Sequence, residues 1–272
     1  MLVERPSNDR PVHATALVLG IAALCVVVVL TLSRLVGPRL LRHYERFPEM
    51  AAMPKLTATA KGTPADPLNI ALVGNLEELR AAMRLIGWVQ ADSLSRASDL
   101  AIARSVLLNR PDSTAPVSSL FLFGRRQDLA FEQQVGQSAR RRHHVRFWLV
   151  PALHYDGRPL WIGDASYDAS AGLSHRGFHP THHIAPDIDR EREGVAAALA
   201  RAGQASETFR VTGVGVRVNA RNAEGDRYDT DGELRVVVVP RANVPHPAPV
   251  DPGVPPLVAL KDRLWSWQHH PR

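Results

Sequence analysis

Residues 14–33 carry no charge and are dominated by Leu, Val, Ile and Ala around the whole circumference of a helix. At the helical rise this run spans roughly 30 Å, the thickness of bilayer hydrocarbon. A core helix of a soluble domain would be shorter and apolar on one face only. A cleaved signal peptide would have a shorter apolar stretch, a basic start and a small-residue cleavage site, whereas this run ends at Ser33-Arg34. The pattern therefore predicts an uncleaved transmembrane helix at 14–33 after an N-terminal tail at 1–13. Arg5 and Arg10 precede it and Arg34, Arg39, Arg42 and Arg46 follow, so the positive-inside rule leans the body of this single-pass membrane protein towards the cytoplasm.

Residues 34–66 read as a juxtamembrane segment and linker, amphipathic at 40–47 and then rich in Ala, Thr and Pro without periodicity. A continuous apolar run at 69–74 predicts a buried strand. Asn75 then caps a helix with acidic residues in its first turn and Leu79, Met83, Leu85 and Ile86 along it, ended by Gly87. A second helical pattern covers 94–108, before Pro111. From 119 the period shortens: 119–123, 129–133, 144–150 and 160–166 are aromatic and aliphatic runs separated by turns such as 156–159, which predicts an antiparallel meander. Pro186-Asp187-Ile188-Asp189 opens a helix with an Ala- and Leu-rich body at 195–202, closed by Gly203. Strands at 208–219 and 234–240 flank a polar loop and predict a hairpin with a long connection. Seven prolines between 240 and 256 make 241–272 an extended tail. The expectation is an α+β fold: one mixed domain at 67–240 with a largely antiparallel sheet.

Composition narrows the class. The 272 residues are 45% hydrophobic and 22% charged, enough for one domain with a real core and inconsistent with a disordered chain. The single cysteine, Cys25, lies in the apolar run, which excludes an intrachain disulfide framework, a cysteine zinc finger and a dithiol redox pair. Net charge is +6, with 30 Arg and 3 Lys, but the basic residues are scattered and no nucleic-acid module is present, so nucleic acid is not an expected partner. No Walker loop, His-Glu-x-x-His or Gly-x-Ser-x-Gly occurs, and Gly213-Val-Gly215 falls short of a dinucleotide fingerprint. Asp229-x-Asp231-Gly232 reads as a turn rather than a calcium loop, because Arg227 and Val238 occupy the positions of the first and twelfth ligands.

Histidine stands out: seven of twelve fall between 143 and 183, namely His143, His144, His154, His175, His179, His182 and His183. Strand alternation puts His144, Arg146 and Trp148 on one face and His143, Val145, Phe147 and Leu149 on the other, which makes His144 the candidate of its pair. Three readings stay open. His144 and Arg146, with His183, could bind an anionic ligand, since arginine recognises carboxylate or phosphate bidentately. His144, His182, His183, Asp187 and Asp189 could hold a divalent metal such as zinc or manganese and activate water for hydrolysis. Alternatively the histidines hydrogen-bond loops and the two aspartates serve a helix N-terminus. Trp148 and Trp161 read as core or rim aromatics.

Asn69 to Gly74 with the Leu-rich helix and Gly87-Trp88, then Leu122-Phe123-Gly124-Arg125, Asp128-Leu-Ala-Phe131-Glu132, Arg142-His-His-Val-Arg-Phe-Trp148, Leu160-Trp-Ile-Gly163 and Thr181-His-His-Ile184, together resemble the LssY C-terminal domain family over roughly residues 67–239. The resemblance implies no established reaction. The family takes its name from a type I secretion component, and related domains look to be appended to membrane PAP2-type phosphatases, a portion this chain is expected to lack. What the resemblance and the residues imply together is a ligand- or partner-binding module at the membrane surface, partnered by the membrane and by an envelope or secretion-related membrane protein. The alternative is a metal-dependent hydrolase of an envelope or lipid-derived substrate.

Overall fold

The computed structural model describes residues 10–37, 46–91, 118–136, 141–176, 180–211, 218–241 and 245–260. It divides into two compact units, Met1–Pro48 with Pro255–Arg272, and Glu49–Val254. In the first, helix α1 (Arg10–Thr31) runs into a π-helical turn, Leu32–Val36. Its segment Ala14–Thr31 is long and apolar enough to cross a membrane, and none of it is buried. Leu17, Leu24 and Val29 are all exposed on the surface of this helix.

The second unit contains, in chain order, β1 (Leu56–Ala58), β2 (Pro64–Pro67), β3 (Ile70–Val73), α2 (Leu76–Leu85), β4 (Val89–Gln90), β5 (Phe121–Leu122), β6 (Arg125–Arg126), β7 (Leu129–Gln134), β8 (Arg142–Tyr155), β9 (Arg158–Leu173), β10 (Pro180–Ile184), α3 (Ile188–Arg201), β11 (Glu207–Val211), β12 (Val218–Arg221), β13 (Arg227–Thr230) and β14 (Leu234–Val238). The main sheet has the order β11-β14-β3-β9-β8-β7-β4, with β10 pairing the far end of β9. Only β14 and β3 pair in parallel; the other ladders of this sheet are antiparallel. This is an α+β domain.

The helices form where local chemistry starts and stops them. Asn75 and Glu78 make a reciprocal capping box: Glu78 N donates to Asn75 Oδ1 at 2.9 Å and Asn75 N to Glu78 Oε2 at 2.8 Å. Gly87 ends α2 at φ +81°, where a side chain would be strained. Asp187 caps α3 by accepting from Arg190 N at 3.0 Å. Leu79 and Met83 of α2 and Val195 and Leu199 of α3 bury against Ile70, Leu72, Phe131, Val145, Phe147 and Trp161, so both helices cover one face of the sheet.

Other strands contact the opposite face. The four-stranded sheet β2-β1-β5-β6 meets it through Asp66, 3.5 Å from Arg146, and the β12-β13 hairpin is tied to Asp66 through Asn222. Trp148 Nε1 donates to the Arg125 carbonyl at 3.2 Å, and Asn222 Nδ2 to Asp66 Oδ1 at 3.3 Å.

Several sequence expectations change here. The 50–67 stretch, read as linker, supplies β1 and β2, with Thr57 and Asp66 buried. The 119–123 run does not join the meander; its core, β5, pairs with β1. The strands expected at 144–150 and 160–166 are the middles of much longer ones, joined by a two-residue turn in which Asp156 and Gly157 have φ of 51° and 68°. At the two ends of the 208–219 run, β11 pairs β14 and β12 pairs β13, and residues 212–217 lie outside the described residues. Part of the proline-rich tail lies along β11: Thr208 N donates to the Val250 carbonyl at 2.9 Å and Val250 N to the Ser206 carbonyl at 3.0 Å. The helix expected at 94–108 lies outside the described residues.

Candidate functional site

The face of the sheet turned away from the helices is polar and yet buried. Alternation on β7, β8 and β9 places Glu132, Arg142, His144, Arg146, Asp164, Ser166 and Asp168 there, and β2 adds Asp66. Every one of these residues is less than a tenth exposed. Buried charge at this density persists only when paired, and the pairing is extensive. Arg142 donates to Asp168 Oδ2 through Nε and to Glu132 Oε2 through Nη1, each at 2.9 Å. Arg146 donates to Asp164 Oδ1 at 2.9 Å and to the Ser118 carbonyl at 3.0 Å, with Asp66 Oδ2 at 3.5 Å.

His144 is the exception. Its side chain is 5% exposed, and among the described residues neither ring nitrogen has a hydrogen-bond partner; Nδ1 lies 3.5 Å from Asp168 Oδ2. Burial drives its pKa down to about 3; Asp168 pulls the other way, while Arg146, Arg142 and His182 deepen the depression. The ring is neutral at pH 7. A neutral imidazole offers one donor and one acceptor, and among the described residues neither has a hydrogen-bond partner.

Two guanidiniums face four carboxylates in this cluster, so charge balances when two carboxyls hold protons. Burial pushes Asp164 up to about 7 against the pull of Arg146, with Asp66 adding to the rise. Burial likewise raises Asp66, opposed by Arg146 and Asn222. Asp164 Oδ2 lacks a hydrogen-bond partner among the described residues. Asp168 moves the other way: burial would raise it, but His144, Arg142 and His182 outweigh burial and hold it below the usual carboxylate range.

The sequence candidates divide as follows. His144 and His182 approach the same oxygen, Asp168 Oδ2, His182 Nδ1 lying 4.0 Å from it. Arg146 shares the face with His144, but its guanidinium is engaged by carboxylates and a carbonyl. His183 turns to Asp226, with Nδ1 2.7 Å from Oδ1. Asp187 caps α3, and Asp189 accepts from Thr230 Oγ1 at 2.8 Å and Asp231 N at 2.6 Å. Arg192 grips the carboxylate of Asp231 through two bonds of 2.8 and 2.9 Å, so the Asp229-x-Asp231-Gly232 segment is anchored to α3. His143 occupies the helix side, 2.8 Å from Glu191 and stacked beside Tyr167. His179 lies outside the described residues. Trp148 and Trp161 are core residues, and Trp161 Nε1 donates to the Gly74 carbonyl at 3.0 Å.

Sequence reasoning missed Glu132, Asp164, Asp168 and Asp66. A signal for three of them existed: on β9, Asp164-Ala-Ser166-Tyr-Asp168 alternates polar with apolar residues, and β7 carries Glu132 opposite His144. Asp66 had none, since it sits in a stretch without periodicity.

No curated protein and no solved structure matches the chain. The family model described as the LssY C-terminus matches residues 50–234. That span starts at the edge of the second unit, takes in β1 and β2, and contains every residue of the buried polar face, so this chain belongs to the LssY C-terminal family.

Proposed function

We propose that this protein is a single-pass, membrane-anchored binding module whose domain lies on the cytoplasmic side and whose ligand site is the buried polar face around His144. The ligand group is neutral and carries hydroxyl or amide functions. One observation carries the reading: among the described residues both ring nitrogens of the buried His144 lack a hydrogen-bond partner, on a face where both arginines are closely paired with carboxylates. Leaving such a group unsatisfied costs about 1–3 kcal/mol, and native folds retain that cost mainly where a ligand, water or reaction uses it. The pairing of Arg146 with Asp164 and of Arg142 with Glu132 and Asp168 argues for a neutral group over an anion. A tether at α1 would hold the site close to the membrane, where an envelope or secretion-related membrane protein is the fitting partner.

The test is histidine-labelled NMR of the full chain in detergent micelles, with glycerol and neutral sugars as probes and acetate and phosphate as anionic counterparts. Neutral probes should move the His144 ring signals and anions should not. Movement by the anions alone would return the site to the anionic reading. A second reading, metal-assisted hydrolysis of an envelope or lipid-derived substrate, draws on the approach of His144 and His182 to one Asp168 oxygen. It requires zinc or manganese to move the signals of those two histidines.

A further inference from the structure

We propose that His175, His183 and Asp226 form a binding site for a divalent transition metal of the zinc type, where the end of β9 and strand β10 meet the β12-β13 hairpin. One ligand atom from each residue lies within 4.8 Å of the others. His183 Nδ1 is 2.7 Å and His175 Nε2 3.4 Å from the same atom, Asp226 Oδ1. Ligand atoms on a tetrahedral zinc with bonds of about 2.0–2.1 Å sit about 3.3 Å apart, so the His175–Asp226 spacing fits and the hydrogen-bonded His183–Asp226 pair has to open slightly to admit the metal. Two imidazoles and one carboxylate form a donor set that suits zinc and related metals better than calcium or magnesium.

The surroundings hold these groups in place. Asp226 N donates to Asn222 Oδ1 at 3.0 Å, and Asp226 Oδ2 accepts from Ile184 N at 3.2 Å, which leaves Oδ1 turned to the imidazoles. His175 N donates to the Glu224 carbonyl at 3.0 Å. Glycines keep the space clear: a Cβ on Gly225, whose φ is +89°, would come within 2.9 Å of His175 Cβ, and one on Gly172 would lie 3.0 Å from His183 Nε2. The His175 side chain is 59% exposed and that of Asp226 5%, so the cluster reaches the surface on the His175 side. Outer-sphere bonds of this kind orient metal ligands. With metal bound, the hairpin bearing Asn222 and Tyr228 is clamped to the β9-β10 edge. The site shares no residue with the His144 face, so either proposal can fail without the other.

The test is calorimetric titration of the full chain in detergent, stripped with chelator and dialysed, with zinc chloride and, separately, magnesium chloride. One zinc and no magnesium should bind per chain. His175→Ala, at an exposed position, should melt with the metal-free parent yet bind zinc about tenfold or more weakly, and His183→Ala should bind none. His246→Ala, outside the site, should bind as the parent does. Absence of zinc binding by the parent, or equal affinity in the parent and the two site variants, overturns the proposal.

Discussion

A neutral, buried His144 ties folding to pH. The unfolded chain takes up a proton there near its ordinary value of 6.5, whereas the folded chain resists protonation down to about 3. With a folded value below the unfolded one, the contribution is complete above pH 6.5 and is lost as pH falls through that window. His144→Gln keeps a polar side chain without a titrating group. The parent should therefore melt progressively earlier relative to this variant as pH drops from 7.5 to 4.5, by thermal denaturation in one detergent. A difference independent of pH would mean that the ring titrates normally in the fold. Sequence alone placed His144 on the correct face of its strand through period-two alternation, yet it could not tell that this face is buried. Asp66 of β2 reaches Arg146 on this face, and nothing in the spacing of His144, Arg146 and Trp148 announces that contact.

Elements with strong local signals were legible, and those defined by partners were not. The capping box at Asn75 and Glu78, the Gly87 and Gly203 stops and the Asp156-Gly157 turn all act within a few residues, so α2, α3 and the β8-β9 turn could be read directly. Strand β10, Pro-Thr-His-His-Ile, has no apolar alternation and exists because β9 extends far enough to pair with it. The β8-β9 ladder is the backbone of the polar face, and in it Gly163 stands opposite Phe147. A Cβ there would lie 2.3 Å from the Arg146 carbonyl oxygen and 2.7 Å from Phe147 Cδ1. Backbone cannot move aside as a side chain does. Gly163→Ala should thus destabilise the full chain by at least the ~1–3 kcal/mol typical of overpacking, measured by urea unfolding, and should displace the amide signals of both strands. Wild-type stability in this variant would mean the two strands are farther apart than described.

For the molecule as a whole, the proposed location rests on α1 and on the four arginines that follow it in the sequence, and the proposed binding role rests on the polar face. The positive-inside count predicts a cytoplasmic C-terminus, so a phosphatase reporter that works only outside the cytoplasm should be silent when fused after Arg272, and a cytoplasmic fluorescent reporter bright. The reverse pattern would move the domain across the membrane. Fold class and membership in the LssY C-terminal family follow from residues spread over the entire domain, which is why both could be read early. The polar face proposed as a ligand site could not, since its members come from β2, β7, β8 and β9 and meet only after the sheet forms. The most direct test of that site is native mass spectrometry of the full chain, released gently from its own membranes in detergent, beside His144→Ala prepared identically. A non-covalent small-molecule adduct on the parent that disappears from the variant is the predicted result. Identical bare masses for both, or an adduct retained by His144→Ala, would contradict the assignment of the buried polar face as a ligand site.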